Sequence, residues 1–119
     1  MMFPKFKTWR SEKHRRNVAS LACASCGRSG QSQCAHINFG KSMGRKACDS
    51  LTFPLCPGCH WRHDQSGAIP REQRRLMEWE YVDATRASLI QLNQWPAEVE
   101  RAYQIAIRPL ARVVHGEAA

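Results

Sequence analysis

Two short cysteine turns, Cys23-x-x-Cys26 and Cys56-x-x-Cys59, constrain this chain more than any other feature. Each turn presents two sulfurs on one side of a tight loop, and two turns together complete the tetrahedral four-ligand set that zinc prefers. Gly27 and Gly58 stand where such knuckles need backbone freedom. The turns are separated by roughly thirty residues, more than in the commonest short four-cysteine fingers, so an insertion must fold between them. Cys34 and Cys48 lack a CxxC partner and read as buried thiols, with Cys34, close to His36, the better candidate to replace one of the four ligands.

The competing use of six cysteines is a disulfide framework. The amino terminus, MMFPKFKTWRSEKHRR, is basic but lacks the apolar stretch of a secretory signal, and no apolar run is long enough to span a membrane. A cytoplasmic location is therefore expected, where thiols stay reduced and paired CxxC turns favour metal. At 119 residues the chain suits one modest domain whose small core needs such a staple. Its 18 Lys and Arg against 10 Asp and Glu give a net charge of +8, which favours a polyanionic partner such as DNA or RNA over a merely basic surface.

Residues 1–10 read as a basic arm rather than a packed element. Ser11 is placed to cap a helix from Glu12 to about Leu21, whose start carries Lys13, His14, Arg15 and Arg16. Basic charge there opposes the helix dipole, so Arg15 and Arg16 are candidates for phosphate contact. Residues 32–38 and 51–55 suit two short strands, with Pro54 demanding an edge or strand-end position. Between them, residues 40–50 form a glycine-containing electropositive loop in which Lys41, Arg45 and Lys46 suit a nucleic-acid backbone. The second knuckle leads into one or two helical turns closed by Gly67. A long helix follows from Pro70 to about Asn93, with Leu76, Trp79, Val82 or Tyr81, Thr85 and Leu89 as its apolar stripe. Pro96 opens a last helix to about Ile107, limited by Pro109.

A structural zinc leaves the histidines unexplained. His36, His60 and His63 fall in or beside the insertion, whereas His14 and His115 read as ordinary surface or core residues. On a helix, His60 shares a face with His63 and with Asp64, a workable ligand pair for a catalytic divalent ion. Phosphodiester hydrolysis needs a base for water, a cation for developing charge and a grip on the backbone. His36 suits the first, His60 with His63 or Asp64 the second, and the basic loop the third. Each histidine alone is more simply structural; the case rests on their joint placement around a knuckle.

AHIN (35–38), GKSMGRKACD (40–49) and PLCPGCHWRHDQSG (54–67), preceded by EKHRRNVASLACASCG (12–27), resemble the HNH nucleases of the ββα-metal superfamily, especially small phage- and prophage-borne HNH proteins. The resemblance covers about residues 11–67 and is most specific in the PLCxxCH segment. It implies an α+β fold: a β-hairpin and helix around one catalytic metal, with a four-cysteine zinc beside it and helices before and after. The chain divides into three segments: a basic arm (1–10), the zinc-stapled nuclease core that the resemblance implies (11–69) and, outside the resemblance, a helical extension (70–119). By similarity His36 is the general base, His60 the final metal ligand, and Asp49 the better match to the middle asparagine, ahead of Asn38. Many members have an aspartate ligand before the first histidine where this chain has Ala35, which turns attention to His63 and Asp64 as substitutes. The implied activity is DNA cleavage with Mg²⁺, Mn²⁺ or a similar ion besides structural Zn²⁺, in a phage or prophage context. The alternative is a non-catalytic zinc-finger nucleic-acid-binding module. The extension would then serve as a cap, a homodimer surface or a docking site for a phage protein.

Overall fold

A computed structural model describes residues 8–39 and 47–116. Lys41, Arg45 and Lys46 lie outside the described residues, as does most of the N-terminal arm. The order of elements is α1 (Glu12–Ala19), β1 (Gln33–His36), β2 (Thr52–Leu55), α2 (Pro57–Asp64), α3 (Arg71–Gln91), α4 (Ala97–Ala106) and α5 (Arg108–Val114). The fold of the described residues is α+β: an antiparallel two-stranded sheet, one α-helix before it and four after it, and the four paired cysteines gathered at one place.

Ser11 does cap α1, its Oγ accepting from the His14 N–H at 3.1 Å. The hairpin register pairs Gln33 with Leu55, Cys34 with Pro54, Ala35 with Phe53 and His36 with Thr52. Because side chains alternate along a strand, Gln33, Ala35, Phe53 and Leu55 share one face, and Cys34, His36, Thr52 and Pro54 the other. The first face meets α2 and α3, where the Phe53 ring stands 5.8 Å from His63 and 5.3 Å from Tyr81. The second meets α1. With both faces covered, β2 is buried at every residue, and it supplies the centre of a core shared with Val82, Tyr103, Ile107 and Leu110. Pro54 is tolerated because it needs no ladder donor there, while its carbonyl accepts from the Ala24 N–H at 2.8 Å.

Several expectations change. Thr8–Arg10 are not a free arm: the Asp49 N–H donates to the Trp9 carbonyl at 3.2 Å and Trp9 Nε1 donates to Glu98 at 3.0 Å. Gly58 lies inside the first turn of α2, not in a strained knuckle, whereas Gly27 does take the left-handed φ of 78°. The buried stripe of α3 is Glu78, Val82, Thr85 and Leu89, and Leu76 is half-exposed. A carboxylate thus occupies a place where apolar periodicity had nominated its neighbours. Pro109 does not end the helical region; it sits in the first turn of α5, where its missing N–H costs nothing. No helix among the described residues is long and apolar enough to cross a membrane.

Candidate active site and metal centre

The four sulfurs of Cys23, Cys26, Cys56 and Cys59 lie within 4.8 Å of one another. Four thiolates about 2.3 Å from one zinc would stand about 3.8 Å apart, and the Cys26 and Cys56 sulfurs are separated by 3.8 Å. The first knuckle is shaped by the Cys26 N–H turned toward Cys23 Sγ at 3.4 Å and by the Gly27 N–H bonded to the Cys23 carbonyl at 2.9 Å. The second is the start of α2: Cys56 is its N-cap residue, Pro57 opens the first turn, and Cys59 follows within it. Donor type, number and spacing all fit a zinc ion. Burial opposes ionisation of Cys23, yet the N–H groups of Cys26, Cys56 and Ser25 hold its thiol down at about 6. Burial, then the Cys56 thiol, pushes Cys59 up to about 12. Four neighbouring sulfurs cannot all ionise unaided, and a divalent cation is what permits it. Cys34 and Cys48 stand apart from this cluster; burial pushes the Cys34 thiol up to about 11, and Cys48 Sγ contacts Ser50 Oγ at 3.0 Å.

On the α1 face of the hairpin, His36 Nε2 lies 2.8 Å from Asp49 Oδ1. Asp49 is fully buried and also accepts from Arg10 at 2.8 Å, from the Ser11 N–H at 2.8 Å, and from Arg15. Burial would raise the Asp49 carboxyl, but His36, the Ser11 N–H, Arg15 and Arg10 together hold it below the usual carboxylate range. An ionised Asp49 can only accept, so the neutral His36 ring carries its proton on Nε2 and its basic lone pair on Nδ1. Asp49 is thus a positioning residue for His36 rather than a group open to substrate. Arg15 is committed to Asp49, while Arg16 is exposed and pairs with Glu12 at 2.6 Å.

On the opposite face, α2 divides its three candidate ligands. His60 Nε2 stands 2.9 Å from Asp64 Oδ2, and His60 Nδ1 stands 2.8 Å from Gln33 Oε1. Two acceptors therefore face one ring, and a neutral imidazole donates to only one of them. An imidazolium donates to both, and a cation held between His60 Nε2 and Asp64 would equally satisfy them. The 2.9 Å separation is that of a direct hydrogen bond, and two adjacent ligands of an octahedral ion, each about 2.1 Å from it, would stand about 3.0 Å apart as well. Gln33 orients the imidazole from behind, and Asn38 Nδ2 donates to Asp64 Oδ1 at 2.7 Å. His63 turns inward instead. It is buried, with Nε2 2.7 Å from Glu78 Oε2, and Glu78 also accepts from the Asn38 N–H at 3.0 Å and the Phe39 N–H at 3.4 Å. Among the described residues, no third His, Cys, Asp or Glu brings a ligand atom to the His60–Asp64 pair.

Gln33, Asn38, Arg10 and Glu78 hold this arrangement together, and Trp61, 61% exposed, flanks His60 and Asp64 in a shallow cleft. An aromatic directly after the CH of the second knuckle was the one visible signal for Trp61. The others act over long sequence separations that spacing does not reveal.

The defining sequence pattern of DUF968, described as a protein of unknown function, matches residues 1–74, the span that holds both cysteine knuckles, the hairpin and α2. The chain belongs to the DUF968 family. The shared region of this DUF968 protein ends just as α3 begins, so α4 and α5 fall outside it. No curated protein and no solved structure matches the chain.

Proposed function

We propose that this DUF968 protein is a metal-dependent endonuclease of the HNH, ββα-metal type, cutting DNA phosphodiester bonds. The observation that carries the reading is the His60–Asp64 pair, spaced at 2.9 Å as adjacent ligands of one ion and oriented from behind by Gln33 and Asn38. A Mg²⁺ or Mn²⁺ ion often keeps only one or two protein ligands, leaving positions for water and substrate phosphate. When bound, it supplies Lewis-acid stabilisation of charge on phosphate and leaving oxygen. His36, oriented by Asp49, would accept a proton from the attacking water; the new P–O bond forms as the bond to the leaving deoxyribose oxygen breaks, and that oxygen takes a proton from a solvent water, while His36 returns its own to solvent. His36 stands on the α1 face of the hairpin and His60 on α2, which packs on the opposite face, so the reading requires a phosphate that both side chains reach. The net charge of +8 favours such a polyanion. The four-cysteine zinc is structural and fastens the start of α2 to the loop before β1.

Two observations favour a second reading, a zinc module that binds nucleic acid without cutting it: among the described residues two protein ligands reach the proposed ion, and Asp49 is engaged by Arg10 and the Ser11 N–H. The two are separated by titrating Mn²⁺ into zinc-loaded protein. The nuclease reading expects one weak site per chain, lost in His60→Ala with the tightly held zinc retained. A His60→Ala protein that binds Mn²⁺ as the wild type does would remove the proposed centre.

A further inference from the structure

A cavity of about 540 Å³ lies between the Trp9–Ser11 segment, α1 and the α3–α4 connection. Its lining includes Trp9, His14, Asn17, Asn93, Gln94 and Glu98. Such a volume falls within the range of small-molecule sites. Two buried side-chain groups of that lining have no hydrogen-bond partner among the described residues: both ring nitrogens of His14 and the Oε1 of Gln94. Unpaired buried polar groups are costly and rare, and a ligand that completes them is one physical reason for their persistence. The His14 imidazole, 3% exposed, is flanked by two indoles, Trp9 at 5.6 Å and Trp95 at 5.4 Å between ring centroids. Trp9 itself is held by one side-chain hydrogen bond, to the exposed Glu98.

The same short segment joins this cavity to the candidate active site. The Trp9 carbonyl accepts from the Asp49 N–H, Arg10 and the Ser11 N–H donate to the Asp49 carboxylate, and Asp49 orients His36.

We propose that this cavity receives one unpaired nucleobase of a DNA substrate, stacked on Trp9 and read at its edge by His14, Asn17, Asn93 and Gln94. The inference rests on the nuclease reading for its choice of DNA, and it adds the substrate class: DNA with an extrahelical base rather than a fully paired duplex. The residue types are those a base requires. An aromatic wall stacks on the π-face, whichever base it is, while amides and a neutral imidazole offer both donors and acceptors to the base edge. Lys13, also in the lining, stands ready for an adjoining phosphate. The Trp9 ring lies 5.6 Å from His14 between centroids, and on this proposal entry of a base replaces the Trp9–Glu98 contact and gives the imidazole its partner.

The test is binding, measured without divalent ions in the full chain carrying His36→Ala, so that no cutting intrudes. Fluorescence anisotropy compares three labelled duplexes: fully paired, with a one-nucleotide bulge, and with the same bulge lacking its base. The expected result is at least tenfold tighter binding of the base-bearing bulge than of the other two. His14→Phe keeps an aromatic ring between the indoles and removes both nitrogens; Asn93→Gly removes a side chain from the left-handed position that closes α3, where φ is 57° and glycine fits without strain. Both variants should fold with an unchanged or higher Tm, bind paired duplex as before, and lose the bulge preference. Equal affinity for base-bearing and abasic bulges, or a preference intact in both variants, would overturn the pocket. Cleavage of paired plasmid tests the nuclease reading separately, so either can fail while the other stands.

Discussion

Replacing Asp49 by Asn changes one oxygen to NH₂ in a buried carboxylate that joins α1 to the hairpin. Four groups point donors at Asp49: Arg10, Arg15, the Ser11 N–H and the His36 ring. The two arginines are 37% and 36% exposed and recover water when released, so each contributes on the order of 0–1 kcal/mol. The Ser11 and His36 bonds are different, because Asp49 has no exposure at all. Hydrogen bonds to a charged group contribute about 1.5–3 kcal/mol each, and an amide can satisfy one of these donors while turning its own donor toward the other. The expected loss is therefore about 2–4 kcal/mol. At this chain length about 1 kcal/mol corresponds to roughly 4 °C, so Tm should fall by about 8–16 °C. Urea unfolding followed by tryptophan fluorescence measures it, with zinc content checked to remain one per chain. A loss below about 1 kcal/mol at unchanged zinc content would refute the claim that Asp49 fastens α1 and His36 to the hairpin.

Two further outcomes follow from the same geometry. Removing zinc with a strong chelator, or replacing Cys56 by Ser, should unfold the chain cooperatively at ordinary temperature, since Cys23 and Cys56 are core residues as well as ligands; a circular-dichroism spectrum unchanged by zinc loss would contradict this. Acid should weaken the fold in two stages. The folded His14 value is lowered from 6.5 by burial, only partly countered by the nearby Asp49 charge, so the unfolded chain takes up that proton first and stability falls as pH drops below about 6.5. The Asp49 value is lowered from 3.8, so its contribution is present above that pH and lost as pH falls through the lower folded value. In His14→Phe the upper stage should vanish while the lower one remains.

The local signals in the chain were legible where neighbours in sequence are neighbours in space. Ser11 caps α1, the two CxxC turns gather four sulfurs, and residues 33–36 and 52–55 pair as a hairpin. His60 and Asp64 meet because a helix brings residues four apart together. What spacing could not show are partners chosen by tertiary packing. Glu78 reaches across 40 residues to the Asn38 N–H and is buried beside Val82, Thr85 and Leu89 of the expected stripe, whereas Leu76 is not. His63, a candidate ligand on its helix position, is drawn inward by that same carboxylate. Asp49, matched to a catalytic place by resemblance, works through Arg10, Arg15 and Ser11, which lie more than 30 residues earlier. Pro109 was read as a stop because a proline both ends helices and begins them, and only packing of α5 on α3 decides between the two.

The proposed nuclease depends on two oriented histidines, His36 of β1 and His60 of α2. It is tested most directly by supercoiled-plasmid cleavage, comparing wild type with His36→Ala after chelation of loosely held ions and addition of Mg²⁺ or Mn²⁺. The account predicts no cutting by either protein without added metal, cutting by the wild type once metal is restored, and none by His36→Ala even though it binds the plasmid and keeps its zinc. Cutting by His36→Ala at the wild-type rate, or cutting by the wild type that survives chelation, would contradict it.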